Sequence, residues 1–146
     1  MSVTPEDHVG IHNLYARYPI LMDQDDEEGL ADCFTATGVF RISGQGRHEG
    51  PDQIKALVRK TAAGRPRHIT INLWIKDVED GVASCNAYFL LVDLKSGETV
   101  AYGTYTDTPV RCDDGVWRWR ERRVQFEWTS EAYAAAGRAK AVPLED

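Results

Sequence analysis

The stretch ILMDQDDEEGLADCF, residues 20 to 34, places five carboxylates within six positions: Asp23, Asp25, Asp26, Glu27 and Glu28. Four of them have local reasons to be there. Asp25 followed by Glu28 matches the D-x-x-E form of a capping box, and Asp26 and Glu27 fall in a first turn whose dipole favours acids. Asp23 stands apart. It lies near the C-terminal end of the preceding helical pattern, where the dipole disfavours an anion by a few tenths of a kcal/mol up to about 1. An Asx-type turn between two helices is the ordinary alternative. Among the histidines, His68 in RHITIN lies in a strand-like stretch. Removing a proton from carbon needs a base with a pKa near neutrality, and neutral imidazole is the natural choice. A strand histidine can equally be an interior hydrogen-bonding group or an exposed one. His8 and His12 are four apart and could share a metal, but without a third ligand they read as a polar helix face. Neither a Gly-rich phosphate loop nor a P-loop is present, so no metal and no organic cofactor are expected.

The whole chain constrains what such residues can act on. Its 146 residues fit one domain, 1–146, and a composition of 42% hydrophobic and 27% charged residues is that of an ordinary globular protein. A net charge of -6 argues against nucleic acid or an anionic membrane as the main partner. The one basic cluster, RWRERR at 118 to 123, alternates with Trp119 and Glu121, so a strand splits it between two faces. Three cysteines, Cys33, Cys85 and Cys112, form no CxxC pair and point to a reducing compartment. The N-terminus lacks the apolar core of a signal peptide, and no apolar run approaches the roughly 20 residues of a membrane span, which makes a cytoplasmic location the expectation.

The elements follow from periodicity. Thr4, Pro5 and Asp7 are an N-cap, a first-turn proline and a capping-box acid. Ile11, Leu14, Tyr15, Tyr18 and Met22 then recur at helical spacing to near Met22 or Asp23. Pro19 sits inside this pattern and should kink or loosen its last turn. On a straight helix Tyr18 and Asp23 point about 140° apart, so both face one cavity only if the chain unwinds after Pro19. A second helix has Leu30, Cys33 and Phe34 inward. A short strand, GVFRIS, follows at 38 to 43, and a third helix in EGPDQIKALVRKTAAG buries Ile54, Leu57 and Val58 and stops at Gly64. Beyond Pro66 the period becomes 2, giving strands at roughly 67–78, 82–95, 98–110 and 115–128, paired antiparallel through short turns. The tail, 129–146, is expected to form one short Ala-rich helix and then fray. Helices followed by a meander define an α+β domain. In the strand at 67–76 the odd positions Ile69, Ile71, Leu73 and Ile75 are aliphatic and the even ones carry His68, Asn72 and Trp74. Either face can be the inner one. If the even face lines a polar cavity, the aliphatic face is left for another subunit.

This order of elements, with Asp in the turn after the first helix, RHITIN on a long strand and DGVWRWRERR on the last, resembles the NTF2-like superfamily and within it the SnoaL-like branch. That branch includes scytalone dehydratase, bile-acid 7α-dehydratase and hexachlorocyclohexane dehydrochlorinase. The resemblance covers residues 5 to 128. It implies a cone in which three N-terminal helices pack into a curved, mostly antiparallel sheet enclosing a cavity. It also implies a catalytic pair of Asp23 and His68, with Asn72 completing an H-x-x-x-N pattern. By the same resemblance Tyr18 takes the polar position five residues before the aspartate, Arg122 the position of an arginine that holds an anionic or departing group, and Phe40 that of a cavity-wall aromatic. Trp74 and Tyr88, with Phe40 and Asn72, are candidates for binding substrate. The second catalytic histidine of scytalone dehydratase has no counterpart in SCNAYFLLVDL.

The expected function is therefore a cofactor-independent, dehydratase-type lyase acting on a small hydrophobic, cyclic or aromatic substrate, with a homodimer or homotrimer as the assembly. A C–C lyase releasing formaldehyde, an isomerase or a cyclase uses the same proton abstraction. A non-catalytic ligand-binding module on the same fold is the alternative from another class.

Overall fold

Thr4 opens the first helix as a complete capping box: its hydroxyl accepts from the Asp7 N–H at 3.1 Å, and its own N–H donates to the Asp7 carboxylate at 3.1 Å. The computed structural model, which describes residues 2–146, has the element order α1 (Pro5–Asp23), α2 (Glu27–Asp32), β1 (Phe34–Ile42), β2 (Gly46–Glu49), α3 (Gly50–Lys60), β3 (Arg67–Glu79), β4 (Val82–Val92), β5 (Thr99–Arg111), β6 (Trp117–Thr129) and α4 (Glu131–Ala135). One curved sheet of order β2-β1-β6-β5-β4-β3 wraps the helices. All its pairings are antiparallel except β1 with β6, which run parallel.

Several boundaries differ from the sequence expectation for local reasons. Asp26, not Asp25, caps α2, accepting from the Gly29 N–H at 2.8 Å. Asp25 instead takes a positive φ of 56° and pairs with Arg65 at 2.9 Å. The second helix stops at Asp32, so Phe34 begins β1 rather than completing a helix face. β2 was not anticipated; it is a short edge strand folded back on β1. Pro19 does not unwind α1, which stays helical to Asp23.

The decisive departure is in strand parity. Between Ile71 and Trp74 of β3, two residues, Asn72 and Leu73, stand opposite Ala87 alone, and Asn72 adopts φ 55°. Such a bulge turns the following side chains over to the other face. His68 therefore faces inward while Ile69 and Ile71 face out, yet beyond the bulge Ile75 is buried and Trp74 is 64% exposed. Neither single-face reading of β3 holds along its length. In β6 an equivalent shift leaves Arg120 unmatched, because Thr108 pairs with Glu121 and Pro109 with Trp119. Pro109 has no N–H for the ladder. Trp117 and Trp119 thus point inward on one side of the shift, and Arg122, Val124 and Phe126 on the other.

Gly103 is where β5 passes close to Phe89 and Gln125. A Cβ built there collides with the Gln125 carbonyl oxygen and the Phe89 ring. Gly103→Ala is expected to lower unfolding free energy by about 1–3 kcal/mol. Urea denaturation measures this; an unchanged midpoint would show that the strand relaxes freely.

Candidate functional site

Helix α1 reaches the mouth of the cone at Asp23, and β3 begins there with Arg67 and His68. Asp23 Oδ1 lies 2.7 Å from His68 Nδ1, and Oδ2 accepts the His68 backbone N–H at 3.1 Å. Arg67 Nε stands 3.3 Å from the same Oδ2. These donors offset the penalty of an anion at a helix C-terminus. Both side chains are mostly buried, at 13% and 14% exposure. A carboxylate only accepts, so the bond requires the proton on Nδ1 and leaves Nε2 with the free lone pair.

His68 spans the angular gap between Asp23 and Tyr18, whose ring centroid is 6.2 Å from the imidazole in an edge-on arrangement. That is how both residues serve one site without unwinding α1. Tyr18 also packs edge-on against Phe40 and Tyr105. These residues line a cavity with Met22, Leu57, Phe89, Leu91, Val124 and Phe126. It offers about 50 Å³ to the centre of a water molecule, room for a few waters at roughly 10–15 Å³ each. Burial holds the Tyr18 hydroxyl well above its usual range and pushes Tyr105 up to about 12, against a downward pull from Arg122 in both cases. Both phenols therefore stay protonated at neutral pH and can donate.

The remaining predicted residues lie elsewhere. Asn72, Trp74 and Tyr88 are not in the cavity wall. The β3 bulge carries Asn72 and Trp74 outward, and the even positions of β4 face out, leaving Tyr88 54% exposed. Arg122 is inside but behind the cavity, 0% exposed. Its guanidinium carbon sits 3.5 Å from the Tyr105 ring centroid, 4.0 Å from Trp119, 4.2 Å from Tyr18 and 5.2 Å from Tyr15. In this conformation it cannot hold a departing group directly. Its charge partner is Asp107, 3.7 Å away, which accepts a 2.5 Å hydrogen bond from Tyr15 and is pushed up to about 6 by burial against the pull of Arg122.

Tyr105 and Asp107 were missed in the sequence. The signal was available: both fall on the odd positions of β5, the inward set that also holds Ala101, Gly103 and Pro109. The tail forms the expected short helix, α4, but does not fray. After α4 it crosses the cavity mouth as a strap, with Tyr133, Arg138 and Ala139 in the cavity wall. Tyr133 stacks on Phe126, Arg138 donates to the Thr61 and Ala63 carbonyls at the end of α3, and Lys140 and Ser43 exchange hydrogen bonds.

A curved α+β sheet wrapped around an aromatic cavity, with an Asp–His pair at its edge, defines an NTF2-like domain. The chain belongs to the SnoaL-like domain family, whose model matches residues 4–123. It is similar in structure to Rv3472, a protein of unknown function from Mycobacterium tuberculosis, at 28% identity over 82% of this chain and 76% of that one, with a TM-score of 0.75. It is also similar to Aln2 from a Streptomyces species, at 29% identity over 92% and 98% of the two chains and a TM-score of 0.72. LinA shares the fold, with a TM-score of 0.74 at 23% identity over 93% and 94%. No curated protein matches in sequence. Among the described residues, no helix is long and apolar enough to cross a membrane.

With the strap seated, the cavity holds no more than a few waters. Arg138→Ala removes the tie to α3 and is expected to speed amide exchange across residues 131–140 several-fold while the β4–β6 core keeps its protection. Unchanged exchange in the strap would place its anchorage elsewhere.

Proposed function

We propose that this protein is a cofactor-independent lyase of the dehydratase type, eliminating water or a comparable group from a small hydrophobic, cyclic or aromatic substrate. The observation that carries the reading is the 2.7 Å bond between His68 Nδ1 and Asp23 at the wall of a largely apolar cavity. Asp23 fixes the tautomer and stabilises the imidazolium that forms. Nε2 takes a proton from carbon, and the C–H electron pair becomes the new double bond as the neighbouring C–O bond breaks. Tyr18 gives its proton to the departing hydroxyl, releasing water, and recovers one from the imidazolium. The apolar wall supports a hydrophobic substrate and keeps bulk water from quenching the carbanionic character that develops. The family includes dehydratases, cyclases and isomerases, all of which can begin with the same proton abstraction, so membership supports that first step.

The same reading includes a homodimer or homotrimer. Ile69, Ile71, Trp74, Tyr88, Tyr102 and Trp128 stand exposed on the outer sheet face, an apolar surface of the kind that assembly covers. A solution mass of two or three times 16.4 kDa is expected; a monomer at micromolar concentration would remove that part.

Asp23→Asn and His68→Ala are each expected to lower turnover roughly 10²- to 10⁴-fold with folding intact. The assay screens hydroxylated aromatic, alicyclic and steroid-like compounds, following solvent deuterium uptake as well as product. Near-normal turnover in either variant would sink the dyad.

A further inference from the structure

The acid half of the site has a second member. We propose that Tyr105 is a catalytic hydroxyl which, with Tyr18, donates hydrogen bonds to the substrate oxygen that gains negative charge, and that Arg122 is a positioning residue acting on that oxygen only through the two tyrosines. The inference rests on the lyase reading in one respect, that the cavity beside His68 is where the chemistry occurs.

Three observations carry it. First, Tyr105 and Tyr18 line the same cavity as His68, with Tyr18 edge-on to both of the others at 6.2 Å between centroids. Two phenols and a base then share one largely apolar space, where a proton can be taken and an oxygen held within a single small substrate. Second, Arg122 is fully withdrawn from solvent, and its Nε and both terminal nitrogens have no hydrogen-bond partner among the described residues. A buried cation left without hydrogen bonds is costly, and such a group calls for an explanation. Third, its guanidinium lies against the faces of the two tyrosines that reach the cavity, 3.5 Å from the Tyr105 centroid and 4.2 Å from that of Tyr18. A cation behind a ring face attracts the electron density that a phenol accumulates when it donates to an oxyanion, and a low-dielectric interior strengthens this.

The groups around Tyr105 set the sign of the effect. Burial makes Tyr105 harder to ionise, and Arg122 from β6 works against burial to make it a better donor. Asp107 on β5 and Asp23 at the end of α1 oppose Arg122. Tyr15 from α1 and Cys85 from β4 crowd Asp107. Asp107 thus moderates Arg122: removing its negative charge should strengthen both tyrosines as donors, whereas loss of Arg122 should weaken them.

The probe is 4-nitrophenol, compared with 4-nitrotoluene as a neutral shape match, with binding to the full chain followed by absorbance as a function of pH. The expected result is that the wild-type protein favours the phenolate over the neutral compound and lowers the probe's apparent pKa. Tyr105→Phe should reduce that preference about tenfold or more, the worth of one hydrogen bond to a charged group. Arg122→Met should reduce it comparably although the guanidinium does not line the cavity, and Asp107→Asn should increase it. Should Arg122→Met not fold, the gain in Asp107→Asn decides that arm, because a merely structural pair yields no gain. No phenolate preference in wild type, an unchanged preference in Tyr105→Phe, or no gain in Asp107→Asn overturns the proposal. His68→Ala separates the two readings. A preference that survives there places the anion on the tyrosines whatever the fate of the dyad. A preference lost there but kept in Tyr105→Phe puts the anion on the imidazole, and the tyrosine proposal fails while the dyad stands.

Discussion

A guanidinium fully buried from solvent holds the centre of this molecule. Arg122 of β6 is enclosed by Tyr15 and Tyr18 of α1, by Tyr105 of β5 and by Trp119 of its own strand, and Asp107 stands 3.7 Å away. Each cation–π contact at a desolvated site is worth about 2 kcal/mol or more, and the Coulomb attraction of Asp107 adds to them. The sum must offset a desolvation penalty of several kcal/mol per buried ion. That balance closes only if α1 packs against β5 and β6 with its tyrosines in register. The cation therefore specifies how the helix sits in the cone. The position of α1 in turn delivers Asp23 to the start of β3, so the geometry of the Asp–His pair depends on a charge that touches neither residue.

How much of this was legible follows from which rules act locally. The cap at Thr4, the buried stripe of α1, the inner face of α3 and the four long strands are set by neighbours a few residues apart, and the sequence pattern placed them within a few positions. Asp23 could be singled out because its four acidic neighbours have local explanations and it does not. Trp74 was misplaced because a period-2 pattern carries no mark of a bulge: Asn72 with its positive φ is the only hint, and asparagine is common in many other settings. Arg122 was placed inside on the strength of a resemblance, while parity counted from Trp119 would have put it outside. The unpaired Arg120, beside a proline that cannot join the ladder, reconciles the two. The tail was read as fraying since its Ala-rich segment has no strong stripe. What pins it is a set of contacts with residues 75 to 100 positions away, such as Arg138 with Thr61 and Lys140 with Ser43.

The strap and the cavity constrain each other. An unfilled apolar space costs stability in proportion to its volume, so the cone is better closed when empty. Tyr133 and Ala139 fill the mouth, and polar ties at α3 and at Ser43 hold them there. The strap is tied by side chains and single backbone contacts rather than by a strand ladder, which places it below the sheet in local stability. The β4–β6 core, by contrast, is cross-braced by the Phe89, Tyr105 and Phe126 rings. Ligand entry can then move the strap while leaving the sheet that positions the reactive groups undisturbed.

The polar groups are also distributed unevenly along the cavity, and the asymmetry bears on the chemistry. At the mouth, His68 is tied to a carboxylate that Arg67 and a backbone N–H also hold, a setting that tolerates a positive imidazolium. Toward the centre, Tyr18 and Tyr105 are kept neutral by burial yet backed by a cation, a setting that tolerates negative charge on a bound oxygen. On the proposed reading, a substrate spanning the two would be polarised along its length, losing a proton at the mouth and gaining charge at the interior end. Whether the reaction then ends in elimination or in a shifted double bond depends on the substrate, because the field favours the common first step. If a leaving group lies next to the developing carbanion, its departure is the downhill course, and on the proposed reading the two phenols would receive its oxygen.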